Sequence, residues 1–220
     1  MPKKPTSREK NVRVKTAKRR TNASTRWLER QLNDPYVSKA QAEGYRGRAA
    51  FKLIEIDEKL DLLKKDMLVV DLGAAPGGWC QVAAKKGCKV IGLDILEMDE
   101  LPDVETIQMD FMDDTAPDKL IEMMKGEKAD LVMSDMAPNT TGHKNTDHLR
   151  IMALVELAYY FAKDVLKQEG AFLAKVRQGG TQNELLAEIK LDFKTIKHIK
   201  PPASRKESSE TYLIAQGFRG

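Results

Sequence analysis

The 220-residue chain predicts an α/β fold: a seven-stranded, mainly parallel sheet that ends in an antiparallel hairpin. Three observations carry this. From residue 49 onward, short apolar runs alternate with helical stretches, the pattern of parallel strands covered on both faces. The first run ends in a glycine-rich turn that opens a helix, as in Rossmann-like ligand sites. The last two runs are joined by PPASRKESS, which is too short for the crossover that two parallel strands need.

The elements follow in order. Residues 1–30 hold eleven Lys and Arg against two acids, a net +9, whereas the remaining 190 residues carry −5, giving +4 in all. This segment has no apolar periodicity and cannot bury a core, so it reads as a basic, flexible arm ahead of a single domain at 31–220. Charge of this kind suits nucleic acid, which releases counterions when its phosphates are neutralised. A merely solubilising tail and an organellar presequence are the other two readings of the arm. A polar helical stretch comes next, then Tyr45-Arg46-Gly47-Arg48. Ala49, Leu53, Ile56 and Leu60 repeat at helical spacing. Strands are expected at 67–73, 89–95, 104–110, 130–135 and 171–176, and helices at 78–86, 115–125, 147–167 and 181–190. Runs 193–200 and 210–218 form the closing pair.

Composition sets limits. Hydrophobic residues make up 41% and charged residues 32%, an ordinary soluble mixture. No apolar run reaches the roughly 18 residues of a membrane span. No apolar stretch follows the basic residues at the N-terminus, so no signal peptide is expected. The two cysteines, Cys80 and Cys88, have no metal-ligand spacing around them and fit a reducing, cytoplasmic setting as space-filling residues. No metal site is expected.

Ligands in this fold bind beyond the carboxyl ends of the strands. The first strand ends in DLGAAPGGW, with Gly73, Gly77 and Gly78 but no GxGxxG and no P-loop lysine. Asp94, 21 residues after Gly73, suits the two hydroxyls of a ribose. Asp110 with Phe111 suits an adenine amino group and ring face. Asp71, Asp94, Asp110 and Asp135 thus end four successive strands at one edge. Such a density of carboxylate repels a phosphate-bearing cofactor but suits S-adenosylmethionine, which carries a sulfonium and an ammonium and no phosphate. The expected architecture is therefore the class I S-adenosylmethionine-dependent methyltransferase fold rather than a dehydrogenase. Lys175 is the anomaly in the apolar run AFLAKV, because lysine is almost never fully buried unless paired.

DLGAAPGGW, LDILEMDE, SDMAPNTTG, AFLAKV and SSETYLIA, in this order, closely resemble the FtsJ/RrmJ family of ribosomal RNA ribose 2′-O-methyltransferases. The resemblance runs from about Trp27 to about Ala215. No DPPY-type motif for base-amino methylation stands at 134–139. The resemblance implies a Lys-Asp-Lys-Glu tetrad at Lys52, Asp135, Lys175 and Glu210, and cofactor contacts at Gly77, Trp79, Asp94, Asp110 and Asp135. Arg177 departs from the pattern, where relatives often have an aromatic, which leaves the local RNA contact open. The implied substrate is a uridine of large-subunit ribosomal RNA, met on the assembled subunit, and the implied state is a monomer.

Two roles for Lys175 are open on sequence: a neutral amine that takes the hydroxyl proton, or an ammonium that stabilises the developing alkoxide. The basic arm, with Arg46 and Arg48, is expected to hold phosphates. Two alternatives compete, a 2′-O-methyltransferase of transfer RNA or an mRNA cap, and a non-catalytic ribosome-assembly factor that keeps the fold.

Overall fold

In the computed structural model, the described residues are Thr16, 21–138, 142–177 and 183–220. The expected arm therefore lies mostly outside the described residues. Its end does not: helix α1 spans Asn22–Leu32, capped by the Thr21 hydroxyl, which accepts from the Ser24 N–H, so the boundary drawn at residue 30 falls inside a helix. The polar stretch is two helices. Asn33 ends α1, and Asp34 caps α2 (Pro35–Ala42) by accepting from the Tyr36 N–H, with proline in the first turn where its missing donor costs nothing.

The remaining elements are α3 (Ala50–Leu60), β1 (Leu68–Leu72), α4 (Gly78–Lys85), β2 (Lys89–Asp94), β3 (Val104–Gln108), α5 (Ala116–Met123), β4 (Ala129–Ser134), α6 (Lys144–Val165), β5 (Leu166–Arg177), α7 (Asn183–Asp192), β6 (Phe193–Ile199) and β7 (Glu210–Phe218). The sheet order is β3-β2-β1-β4-β5-β7-β6. β7 runs antiparallel to both β5 and β6, and the other ladders are parallel. The mainly parallel sheet with its terminal hairpin is as the sequence predicts. One strand is longer than its apolar run. β5 begins at Leu166, which pairs with Ala129, and the ladder then shifts register before Leu131 meets Ala171. Glu169 absorbs the irregularity in the left-handed region, at φ 66°.

Strand parity divides the core. Val70, Leu72, Val132, Phe172, Ala174, Leu213 and Ala215 face the layer of α5, α6 and α7. Val69, Leu131, Met133, Ala171, Leu173, Tyr212 and Ile214 face α3 and α4. Because strand side chains alternate, Asp135, Lys175 and Glu210 continue the second series and lie on the α3/α4 side. This is what places them beside Lys52, which α3 carries.

Buried polar contacts fix α3. The Trp79 indole N–H donates to the Ala49 carbonyl at 2.9 Å, joining α4 to the start of α3. At the other end Asp57, which is buried, accepts from the Leu63 N–H at 2.8 Å and pairs with Lys86 at 2.7 Å. Asp57→Ala leaves a buried donor without a partner and is expected to cost about 1–3 kcal/mol. Lys86→Ala, at a half-exposed ammonium, is expected to cost less. Urea unfolding of both variants checks the order.

Candidate active site

The tetrad expected from sequence converges in space. Lys175 pairs across the ladder with Tyr212, and its neighbour Ala174 pairs with Ser134 on the other side, so the lysine stands next to Asp135. Its Nζ lies 3.1 Å from the Asp135 Oδ1 and also donates to the Asp135 main-chain carbonyl. Lys52 reaches the same centre from the first turn of α3. Its Nζ is 2.8 Å from Glu210 Oε1 and 3.9 Å from Asp135 Oδ2. The four side chains are between 13% and 20% exposed, so they are largely desolvated yet reachable from solvent.

Position and charge conflict at Lys52, and the conflict is informative. A cation in the first turn of a helix is opposed by the positive end of the macrodipole. The N-terminus of α3 has no acidic residue in its first turn and no side-chain cap. Glu210 supplies the missing negative charge from β7. The Tyr212 ring adds a further contact, 5.7 Å from the Lys52 Nζ.

The carboxylates are held from both sides. The Tyr212 hydroxyl donates to Asp135 Oδ1 at 2.9 Å. The Ser204 hydroxyl donates to Glu210 Oε1 at 2.8 Å, the same oxygen that Lys52 binds. Burial pushes the Asp135 carboxyl up, but Lys175, Lys52 and the Tyr212 hydroxyl together outweigh it and leave the group below the ordinary carboxylate range. Tyr212 and Ser204 were not singled out by sequence reasoning. Tyr212 lies two residues beyond Glu210, on the same face of β7, and that parity was the available signal.

A cavity of about 270 Å³ opens along the ends of β1, β2 and β4 and beyond β3. Gly73, Asp94, Asp110, Phe111 and Met136 are among its walls. Gly73 is at φ 82°, and a Cβ there would meet Met136 at 2.9 Å, so the turn requires glycine. The Asp94 carboxylate accepts from the Ala75 and Leu96 N–H groups, one on each oxygen, which fixes its orientation and leaves lone pairs for a ligand. Asp110 accepts from the Met112 N–H in the same manner. Ile95 and Met112 line the cavity at 63% and 64% exposure, an apolar rim without a cover.

The structure refines three expectations. Trp79 does not present its indole to this cavity. The ring is 3% exposed, packs 5.6 Å from Tyr212, and spends its N–H on Ala49, which leaves only its backbone for a ligand. Asp71 does not open on the cleft. It is fully buried within β1, where its Oδ2 accepts from the Cys80 thiol and its Oδ1 has no partner. Cys80 is thus more than a space-filling residue. Arg46 and Arg48 are not free to hold phosphates in the way expected. Arg46 donates to the carbonyls of Pro76, Asp99 and Glu100, and Arg48 donates to Asp34 and to the Ala203 carbonyl. Loop carbonyls without backbone partners need donors, and the guanidinium fork supplies several at once. Gly77, next to the Arg46 clasp, is at φ 105° and caps α4. Arg177 donates to the Ser209 hydroxyl and so ties the end of β5 to the start of β7. Asn139, Thr140 and Thr141 of the SDMAPNTTG motif lie outside the described residues.

With this geometry in place, comparison with known proteins becomes specific. Residues 45–218 match the model of the FtsJ-like methyltransferases. The chain belongs to that family. A protein of Azorhizobium caulinodans named ribosomal RNA large subunit methyltransferase E is 60% identical over all of this chain and 93% of its own. A protein of the same name from Zymomonas mobilis is 61% identical over 94% of this chain and 95% of its own. A crystal structure of a ribosomal RNA methyltransferase from Plasmodium falciparum superposes with a TM-score of 0.72, at 34% identity, over 80% of this chain and 100% of that one. The family match takes in all four tetrad residues.

Asp71 gives the site a pH signature. Burial, joined by Asp135 and Asp94 and opposed by the Cys80 hydrogen bond, pushes its carboxyl up from 3.8 to about 7. A raised carboxyl contributes stability that is complete below its unfolded value and is lost as pH rises through the folded one. Asp71→Asn removes this dependence. Between about pH 4 and 8 the unfolding free energy of the variant is expected to gain on that of the parent, and a pH-independent difference between the two would refute the assignment.

Proposed function

We propose that the protein transfers a methyl group from S-adenosylmethionine to the 2′-hydroxyl of a uridine in large-subunit ribosomal RNA, on the assembled subunit in the cytoplasm. The observation that carries this is the Lys52–Glu210 and Asp135–Lys175 constellation beside a glycine-turn cavity. The names of the relatives supply the RNA class.

The residues present fit the cofactor. The cavity lacks a GxGxxG turn and a phosphate-binding lysine, and Asp94 and Asp110 add negative charge to its wall. These features suit a cationic nucleoside rather than a dinucleotide. Asp94 would hold ribose hydroxyls, Asp110 an adenine amino group, and the rim of Ile95 and Met112 the faces of the ring. The turn at Gly73 and Gly77 allows close approach of backbone, and Asp135, next to Met136 of the cavity wall, would stand beside the reacting end. Bound there, the cofactor supplies an electrophilic methyl group on a sulfonium.

The chain's own residues do the rest. Methyl transfer to a hydroxyl needs in-line alignment and loss of the hydroxyl proton, and alignment alone can supply several kcal/mol of the barrier. Asp135, held below the ordinary carboxylate range, is a weak base near neutral pH. Glu210 already accepts from Lys52 and Ser204. The Lys175 amine serves as the base, taking the 2′-hydroxyl proton at Nζ and becoming an ammonium as the oxygen attacks, while Asp135 and its carbonyl aim that nitrogen. Lys52, fixed by Glu210, donates to the ribose and steadies negative charge as it develops on the oxygen.

Lys175→Ala is expected to reduce transfer to large ribosomal subunits by about a thousandfold or more while leaving cofactor affinity within about threefold. Turnover of labelled cofactor and calorimetric binding on the same preparation decide it. A variant with substantial turnover would take Lys175 out of the mechanism. Failure of the parent protein to transfer any methyl group would favour a non-catalytic assembly factor.

A further inference from the structure

Two members of the tetrad border a second cavity. Lys52 and Glu210 form part of the wall of a cavity of about 470 Å³, separate from the one assigned to the cofactor. Other parts of that wall come from the last turn of α1, through Arg30, and from the loop joining β6 to β7, through Arg205 and Glu207. Arg48 lines it as well.

The charges on this wall are not equivalent. Lys52 and Glu210 neutralise each other at 2.8 Å. Arg48 is committed to Asp34 and the Ala203 carbonyl. Arg205 touches Asp34 with one terminal nitrogen at 3.4 Å, its side chain is 27% exposed, and the rest of its fork is unspent among the described residues. Arg30 is exposed and makes no ion pair among the described residues. Two guanidinium groups are therefore available at the mouth of a cavity whose wall includes Lys52 and Glu210 of the tetrad, with Glu207 as the acid beside them.

We propose that Arg30 and Arg205 bind the phosphates flanking the target ribose, which makes this cavity the seat of the RNA backbone. The inference rests on the RNA reading above and goes beyond it by assigning the phosphate contacts. Every ribose within an RNA strand is esterified at its 3′ and 5′ oxygens. A strand that presents a 2′-hydroxyl to Lys175 must therefore place phosphate just outside the tetrad, on the side where Lys52 and Glu210 open to solvent. The planar fork of arginine matches phosphate oxygens in pairs. Asp34 helps rather than competes: it holds Arg48 and one edge of Arg205 in place, so that the remaining donors of Arg205 are oriented at little entropic cost.

The test uses the full-length chain with Arg205→Gln, Arg30→Ala and Arg30→Glu. Two quantities are read: steady-state methyl transfer to large ribosomal subunits that lack the modification, and the salt dependence of binding to purified large-subunit ribosomal RNA. Arg205→Gln is expected to raise KM for subunits about tenfold with kcat within about twofold, as for loss of a charge-assisted contact. Arg30→Ala should raise KM less and Arg30→Glu more. Each lost contact should flatten the plot of log affinity against log salt by about 0.7. Parent-like KM and salt slope in all three variants, with the parent still methylating RNA, overturn the phosphate site and leave the proposed activity standing. A fall in kcat at unchanged KM in Arg205→Gln also overturns it, because Arg205 would then act only as a clasp on Asp34. Arg30 has no ion-pair partner to lose among the described residues, so its variants keep the test decisive even if Arg205→Gln folds poorly. A parent protein that transfers nothing to RNA removes the reading itself.

Discussion

Two lysine amino groups and two carboxylates meet in the cleft between α3 and the sheet, and each is tolerable there only because of the others. Removing a charge from water costs several kcal/mol, and a partly buried pair recovers it only with good geometry and further hydrogen bonds. Here the further bonds are present. Tyr212 and Lys175 satisfy Asp135, while Ser204 and Lys52 satisfy Glu210. Much of the surrounding architecture serves to bring these partners to one point. Trp79 and Asp57 pin α3 at both ends. Glu55, on the same helix, accepts from Tyr36 and from the Ala203 N–H, which draws α2 and the loop that carries Ser204 against α3.

The sheet does the rest through parity. Residues 131, 133 and 135, residues 171, 173 and 175, and residues 210, 212 and 214 are three series on one face of three strands. The odd positions of β4 and β5 and the even positions of β7 meet because β7 is antiparallel to β5, with Lys175 opposite Tyr212. A slip of one residue in that ladder would move Glu210 and Tyr212 to the α6 side and leave Lys52 without a counterion. The hairpin at the end of the sheet is thus a condition for the site.

What could be read from sequence follows from the range of the forces involved. Strands and helices were legible because alternation and helical spacing are local. The four tetrad positions were legible because the family resemblance carries them on local motifs, Lys52 at the start of a helix and Asp135, Lys175 and Glu210 at or near the ends of strands. Residues whose role depends on distant partners were not. Arg46 and Arg48 have the composition of phosphate ligands, and nothing local shows that loop carbonyls at 76, 99, 100 and 203 claim them. Asp71 ends its apolar run much as Asp135 does. Only three dimensions show it shut in with Cys80, so that a count of four carboxylates at the sheet edge overstates the charge facing the cleft. Trp79 sits within a glycine motif, yet its ring is needed to join α4 to α3.

The central claim is that the tetrad acts on a ribose hydroxyl. It is tested most directly by incubating the protein with methyl-labelled S-adenosylmethionine and unmodified large ribosomal subunits, then digesting the RNA with alkali. A 2′-O-methyl group blocks attack on the adjoining phosphodiester, so the label should survive in a dinucleotide that yields 2′-O-methyluridine on enzymatic digestion. Label recovered in mononucleotides bearing a methylated base would contradict the assignment of Lys175, Asp135, Lys52 and Glu210 to ribose chemistry.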